Sequence, residues 1–270
     1  MGQPVSEKSA VQFSIPVQEH LDFLADGVFQ VRTKWPHFQR MLDDLVELAV
    51  QVMPEQRVVC LERAYVYGGD SLFAPIFTKG EFLSVDCHLQ STAERAGYQK
   101  SWLEDPRCIH ISATLQAQIT QIPLPDHSAD ILLVPNVVHH VQDQEAMFEE
   151  IARLLKPGGT GYIFEALLRE LHQAPDDYVR YTPWGFETML KKHGLKQTEW
   201  RPAGGPFEAI SYCWVQALQY LPPEERAEKE AWFYDVHLPE LLALDRKYPD
   251  NLSRQHTSFP VGYGVFFTKP

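Results

Sequence analysis

The sequence predicts an α/β protein with a doubly wound, mainly parallel sheet. Short apolar runs of the kind that form buried strands recur along the chain and alternate with helical segments. The stretch from Ile122 to Glu165 reads as strand, loop, amphipathic helix, Lys-Pro-Gly-Gly turn and strand, which is one βαβ unit. Because parallel strands end at the same edge of a sheet, we expect a ligand crevice at the residues that follow them.

The composition is that of a globular protein and argues against several function classes. Of the 270 residues, 44% are hydrophobic and 22% are charged. No apolar stretch approaches the roughly 20 residues that span a membrane. The net charge is −12 and the basic residues are scattered, so a nucleic acid would meet no continuous basic groove. We therefore expect a cytoplasmic monomer or homodimer that acts on a small molecule and binds neither nucleic acid nor membrane.

No pattern of cysteine or histidine residues indicates a metal site. The four cysteines show no Cys-x-x-Cys spacing, and three of them lie in or beside apolar runs. His139 and His140 are adjacent, and no His-Glu-x-x-His motif is present. We predict buried thiols and no metal.

The chain is expected to form a flexible arm followed by a single domain. Residues 1–16 are polar and show no periodicity. The domain, residues 17–270, is divided into N-terminal cap helices at 17–53, a cofactor-binding half at 54–165, and a half with the lid and C-terminal strands at 166–270.

In the first two parts, apolar periodicity predicts helices from about Val17 to Arg32 and from His37 to Met53, where Pro54 ends the second one. A third predicted helix runs from Glu145 to Leu155. The predicted strands are Arg57–Glu62, Glu81–Asp86, Arg107–Ile111, Asp130–Val134 and Gly159–Phe164.

In the last part, Thr182 caps a helix that begins at Pro183 and ends near Gly194. Two further helices are predicted, the second with a break near Pro239. Their ranges are Phe207–Tyr220 and Glu224–Leu244. Two strands complete the sheet, and they are Leu195–Arg201 and Gly262–Phe267.

The residues from Ile122 to Glu165 resemble the class I S-adenosylmethionine-dependent methyltransferase family. Their IPLPDHSAD is similar to the family's Leu-Pro-Phe-Pro-Asp-x-Ser-Phe-Asp entry to strand four. Their NVVHH is similar to its Asn-x-x-His-His end, and LKPGG to its Leu-Lys-Pro-Gly-Gly turn. The resemblance covers roughly Arg57 to Pro270 and implies a Rossmann-like sheet of seven strands in the order 3-2-1-4-5-7-6, with the last strand antiparallel. It also implies S-adenosylmethionine as cofactor.

A second segment, from His172 to Leu195, resembles a subgroup often associated with sugar or natural-product pathways. In that subgroup a Pro-x-Asp-Tyr-x-Arg-Tyr-Thr segment precedes a helix over the pocket, and this chain has PDDYVRYT. The closing VGYGVFFTKP is similar to the subgroup's last strand. The resemblance therefore implies a lid.

The glycine-rich turn after the first strand departs from the family's pattern. Where the family has acid-x-Gly-x-Gly-x-Gly, this chain reads ERAYVYG from Glu62 to Gly68, so two glycines are missing. Val66 puts a β-branched side chain where the turn needs conformational freedom. Either a longer loop uses the GGDS that ends at Ser71, or the methionine end of the cofactor sits differently. The family's adenine-binding acid is replaced by Gln118, whose amide oxygen would accept the same bond more weakly.

The ends of the first two strands carry the carboxylates expected to contact the cofactor. Asp86 ends the second strand, where a carboxylate can accept two bonds from ribose hydroxyls, although it is also a common turn residue. Glu62 ends the first and contacts the methionine amine or caps the next helix. By the resemblance, the other predicted cofactor contacts are Ala64, Gly68, Cys87, Gln118, Ile119 and Asn136.

The predicted catalytic residues are Asn136, His139 and Tyr178. Asn136 follows the fourth strand at the crevice edge and orients the acceptor or caps its loop. One of the two adjacent histidines is the general base while the other packs behind the pocket, and we choose His139 over His140.

Aromatic side chains are expected to cover the cofactor. One group either forms a wall against the sulfonium or packs the lid helix; it consists of Tyr181 and Trp184 together with Arg180. The N-terminal aromatic residues close the pocket from above or belong to the core. They are Phe23, Phe29, Trp35 and Phe38.

The leading functional hypothesis is methyl transfer to a small hydroxylated or amine acceptor, of a sugar or natural-product type, in a biosynthetic role. A second hypothesis is cyclisation of the cofactor's aminobutyrate arm, which releases methylthioadenosine and a cyclic amino acid. The third is a methyltransferase-like protein that binds without catalysis, which the altered first turn also allows.

Overall fold

The structure is a computed structural model, and it describes residues 12–29, 34–87, 104–171, 174–248 and 259–270. Most of the predicted N-terminal arm lies outside these residues. None of the helices in the described ranges combines the length and apolar character that crossing a membrane requires.

Seven strands form one sheet in the order β3-β2-β1-β4-β5-β7-β6. They are β1 Arg57–Glu62, β2 Glu81–Cys87, β3 Leu115–Ala117, β4 Ala129–Pro135, β5 Leu155–Ala166, β6 Lys196–Ala203 and β7 Gly262–Thr268. The pairings among β1 to β5 are parallel, whereas β7 is antiparallel to β5 and to β6. The predicted strand order and the antiparallel last strand are confirmed.

The helices of the described residues are α1 Ile15–Phe23, α2 Pro36–Gln51, α3 Gln144–Leu154, α4 Pro183–Lys192, α5 Pro206–Leu218, α6 Pro223–Trp232 and α7 Leu238–Lys247. The first predicted helix ends early, because a π-helical turn at Leu24–Val28 follows α1. The predicted break near Pro239 is a π-helical turn at Phe233–His237, after which Pro239 lies in the first turn of α7.

Consecutive residues of the central strands enter two different cores. Val58 and Cys60 pack with α2 on one face of the sheet, whereas Val59 and Leu61 pack with α3 and α4 on the other. Side chains alternate across a strand, and a strand covered on both faces needs apolar residues at every position. This explains the unbroken apolar runs in the sequence.

The prediction for the third strand was wrong. The run Arg107–Ile111 is a loop, and β3 lies further along the chain. Its backbone groups are used in other contacts: the Ile109 N–H donates to His20 Nδ1 at 3.1 Å, and the Ile111 carbonyl accepts from the Ser71 N–H at 2.6 Å. Tertiary contacts thus override the apolar pattern.

Gly161, in the centre of β5, allows a close ring contact. A Cβ at this position would lie 2.0 Å from the Cζ atom of the buried Phe267 ring. We predict that Gly161→Ala lowers the free energy of unfolding by about 2 kcal/mol, because the packed ring has to move. Urea denaturation measures this. The control Thr160→Ala, on the same strand, should cost less than about 1 kcal/mol, and equal losses in both variants would contradict the prediction.

Candidate active site

A cavity of about 280 Å³ lies at the carboxyl ends of β1 and β4. From the sheet edge its wall receives Glu62, Arg63, Val66, Tyr67, Phe73, Pro135, Asn136, Val137 and His140. From the N-terminal segment and α2 it receives Val28, Phe29, Trp35, Phe38 and Met41. From the C-terminal part it receives Arg169, Tyr212, Val215, Gln216 and Tyr234.

Strand register brings the predicted cofactor contacts to this same edge. Glu62 lies opposite Asp86 between β1 and β2, and Cys87 lies opposite the last residue of β3. Gln118 and Ile119 directly follow β3. The described cavity wall includes Glu62 and Asn136 from the predicted set, and the β2 and β3 residues lie beside it along the sheet.

The carboxylate of Glu62 is buried and anchors the loop after β1. Its Oε1 accepts hydrogen bonds from Ser71 Oγ at 2.5 Å and Ser84 Oγ at 2.8 Å, and Oε2 accepts from the Leu72 N–H at 3.3 Å. Burial raises the pKa of Glu62 to about 7, although these hydrogen bonds act to lower it. The alternative prediction was that Glu62 caps the next helix; its backbone partner, the Leu72 N–H, lies instead in the loop before the 3-10 turn at Ala74–Ile76.

The loop after β1 has a compact form that replaces the expected glycine turn. Ala64–Tyr67 is a 3-10 turn, and the Gly69 N–H closes it by donating to the Ala64 carbonyl at 2.9 Å. Gly68 and Gly69 have φ values of 84° and 91°, which favour glycine. Val66 is 7% exposed and lies on the cavity wall. The loop therefore uses Gly68 and Gly69 for its left-handed positions, as the first of the two alternatives has it.

Asn136 carries an unsatisfied acceptor at the end of β4. Its φ is 58°, a left-handed conformation that asparagine tolerates, and its N–H donates to the Phe164 carbonyl at 2.7 Å. Among the described residues, its buried Oδ1 atom has no hydrogen-bond partner. Buried acceptors are normally paired, so this oxygen is suited to a donor on a bound ligand.

The two adjacent histidines take different positions. His139 is buried; its ring Nδ1 lies 2.5 Å from Glu165 Oε1 and its N–H donates to Glu165 Oε2 at 3.2 Å. The cavity wall contains His140, not the predicted His139. His140 Nδ1 is 2.5 Å from the Asp176 carbonyl oxygen and has to donate to it, so the neutral ring carries its lone pair on Nε2.

The predicted lid residues do not contribute to the described cavity wall. Tyr178 is 40% exposed and its hydroxyl donates to Asp176 Oδ1 at 3.0 Å. The Arg180 guanidinium forms a bidentate pair with Asp177. Within the described ranges, these two side chains pair inside their own segment. The backbone of the segment contacts the histidine pair: the Tyr178 N–H donates to the His139 carbonyl at 2.8 Å, and the Asp176 carbonyl contacts His140 Nδ1.

The aromatic residues of the same segment pack α4 onto α3. The ring centroid of Tyr181 lies 6.2 Å from that of Phe148 and 5.0 Å from that of Phe186. Trp184 is 65% exposed, with its ring 6.1 Å from Trp200. These contacts correspond to the second of the two interpretations, in which the rings pack the helix.

The cavity is covered instead by the N-terminal segment and α5. Trp35 and Tyr212 make an edge-to-face contact at 5.3 Å, and His37 Nδ1 lies 2.6 Å from Glu208 Oε1. The sequence had indicated Phe29, Trp35 and Phe38 as residues that close the pocket, and they line the cavity wall. Tyr212 and Arg169 gave no signal in the sequence, because only contacts between segments distant in sequence bring α5 and the residues after β5 to the cavity.

Comparisons with known proteins agree with the fold. Residues 77–163 match a family model described as a methyltransferase domain. An uncharacterized methyltransferase of Schizosaccharomyces pombe is 25% identical over 164 residues, which is 60% of this chain and 56% of that protein. A dimethylglycine N-methyltransferase of Parasynechococcus marenigrum is 37% identical over 60 residues, or 20% of this chain and 21% of that protein.

A presumed methyltransferase from Bacillus halodurans has the same fold, with a TM-score of 0.50 and 14% identity over 85% of this chain and 98% of that one. The chain spans about half the length, or less, of the curated relatives that it matches. The subgroup with the lid segment stays a prediction.

The raised pKa of Glu62 predicts a pH-dependent contribution to stability. The pKa rises from 4.5 to about 7 on folding, so the native state holds the proton longer than the unfolded state does. The contribution of Glu62 is complete below pH 4.5 and is lost as the pH rises to about 7. We predict that wild type loses roughly 3 kcal/mol relative to Glu62→Gln over this range.

Urea denaturation of both proteins at a series of pH values measures this difference. Glu62→Gln is the matched control, because its amide resembles the protonated acid and does not titrate. A difference in unfolding free energy that does not change with pH would contradict the prediction.

Proposed function

We propose that this chain, which belongs to the class I S-adenosylmethionine-dependent methyltransferase family, transfers a methyl group to an amine or hydroxyl of a small acceptor. The observation that carries the proposal is the cavity at the strand ends, whose wall combines the unsatisfied Asn136 oxygen with His140. A pocket of this kind, with few polar groups in an apolar wall, is typical of small-molecule sites.

The residues at the sheet edge fit S-adenosylmethionine. Asp86 is a buried carboxylate at the end of β2, next to Gln116, and would accept bonds from the ribose hydroxyls. The open Asn136 Oδ1 would accept from the ammonium of the methionine part. The other residues that we propose as cofactor contacts are Glu62, Ala64, Gly68, Cys87, Gln118 and Ile119.

When bound, S-adenosylmethionine supplies a methyl group already activated by its sulfonium. The chain then has to align the acceptor, exclude water and accept a proton. Phe29, Trp35 and Phe38 supply an apolar wall that excludes water. His140 is proposed as the general base, because its Nδ1 bond to the Asp176 carbonyl orients the ring and leaves Nε2 basic.

An amine acceptor is supported by two observations. The aromatic rings of the wall favour a cationic group, because their faces carry partial negative charge. The similar protein of Parasynechococcus marenigrum is named for methylation of an amine. We therefore place small amines ahead of hydroxyl compounds as acceptors.

Incubation with methyl-labelled S-adenosylmethionine and separate pools of small amines and small hydroxyl compounds tests the proposal. We expect labelled product in an acceptor pool together with S-adenosylhomocysteine. Tight cofactor binding without any methylated product would argue against it. Release of methylthioadenosine without an acceptor would identify a cyclase, and no calorimetric heat with the cofactor would identify a protein that does not use it.

His140→Asn tests the proposed base. The asparagine amide can keep the donor to the Asp176 carbonyl but removes the basic nitrogen. We predict that kcat falls about 100-fold while S-adenosylhomocysteine binding stays within about twofold of wild type. His127→Asn is the control, since His127 is exposed, also has a positive φ of 55°, and lies outside the described cavity wall. Equal kcat in both variants would exclude His140 as the base.

A further inference from the structure

Two arginines lie on the wall of the cavity, although the chain as a whole carries a net charge of −12. Arg63 follows β1 at the sheet edge and is only 7% exposed. Arg169 follows β5 and approaches the cavity from the C-terminal side. Arg63 already interacts with another part of the protein. A guanidinium largely shielded from water, such as that of Arg169, requires a partner in the protein or on a ligand.

Few contacts within the described residues offset the positive charge of the Arg169 guanidinium. Within the described part of the chain its ionic contact is Nε to Glu170 Oε1 at 3.7 Å, which is too long for a hydrogen bond, and Nε has no hydrogen-bond partner. Its side chain is 17% exposed. Arg169 and Tyr212 line the same cavity. Burial raises the pKa of Tyr212, while the charge of Arg169 lowers it and that of Glu170 raises it.

Glu62 is the acid on the described cavity wall. Both oxygens of Glu62 already accept hydrogen bonds, from Ser71, Ser84 and the Leu72 N–H. Burial raises the pKa of Glu62 to about 7, so near neutral pH a large fraction of this carboxyl is uncharged. Glu170 lies 3.7 Å from Arg169 Nε and offsets part of its charge, but this nitrogen has no hydrogen-bond partner among the described residues and can still donate to an anion.

We infer that the acceptor carries an anionic group, a carboxylate or a phosphate, which Arg169 binds beside Tyr212 while Arg63 adds positive potential from the sheet edge. A guanidinium binds either group through paired N–H donors. The body of the acceptor would then pack against Trp35 and Tyr212, whose rings meet edge to face. This inference rests on the proposed function, because it describes the acceptor of that reaction.

The carboxylate of the cofactor is the alternative ligand for these arginines. A test therefore has to be made both on the protein alone and on the protein saturated with S-adenosylhomocysteine, which carries the same carboxylate. If the arginines recognise the acceptor, anion binding persists in the saturated protein.

Isothermal titration calorimetry with three probes tests the inference. Benzoate and inorganic phosphate represent the two anion sources, and benzyl alcohol is the neutral counterpart. We expect one anion to bind at least tenfold more tightly than benzyl alcohol, with a dissociation constant below about 10 mM, in both forms of the protein. In Arg169→Gln the affinity for that anion should fall about tenfold while binding of benzyl alcohol is unchanged. Arg226→Gln is the matched control, because the Arg226 side chain is 41% exposed, lies 3.8 Å from Glu230 on α6 and is not part of the described cavity wall.

Three results would overturn the inference: neither anion binding better than benzyl alcohol, including no binding at all; loss of the preference in the saturated protein; or equal behaviour of the two arginine variants. A separate titration with S-adenosylhomocysteine reports on the proposed function itself. Absence of heat in that titration contradicts the proposed function whatever the anions do, so the two failures are distinguished.

Discussion

The parallel pairing of β1 with β2 and β4 is the constraint on which the site depends. It sets Glu62 opposite Asp86 and brings the end of β4 to the same edge. A slip by one residue would move the side chains of the strand to the opposite face and into the wrong core. The two apolar cores therefore fix the register, and the register places the polar residues. The placement of the candidate site at this edge is a consequence of packing in the sheet.

A second set of contacts, between helices outside the sheet, closes the cavity. Glu208 accepts from the backbone N–H of His37 at 3.0 Å and from its ring at 2.6 Å, which ties the start of α2 to α5. Asp245 in α7 accepts from the Glu208 N–H at 2.7 Å and caps the first turn of α5. These buried polar contacts hold the aromatic cover, including Trp35 and Tyr212, over the strand ends. The cover is thus part of the folded body.

The loop after β1 shows how one structural need can be met by different residues. A glycine turn lets backbone approach a ligand, whereas here Ala64 and Val66 lie in a 3-10 turn and the left-handed positions move to Gly68 and Gly69. Ser71, which follows, supplies a hydroxyl to Glu62. The side chains of Val66 and Arg63 consequently form part of the cavity wall and contribute to its shape and its charge.

From the sequence alone, the resemblance of the segment from Ile122 to Glu165 implied the strand order. Local periodicity and capping residues such as Thr182 determined most helix and strand bounds, and the predicted strand ends indicated the edge at which the candidate site lies. Only the tertiary structure decided which neighbouring side chains face the cavity. His139 and His140 differ by one position, and the contacts with Glu165 and Asp176 choose between them. The third strand and the cover likewise depend on contacts between residues distant in sequence, which no local pattern encodes.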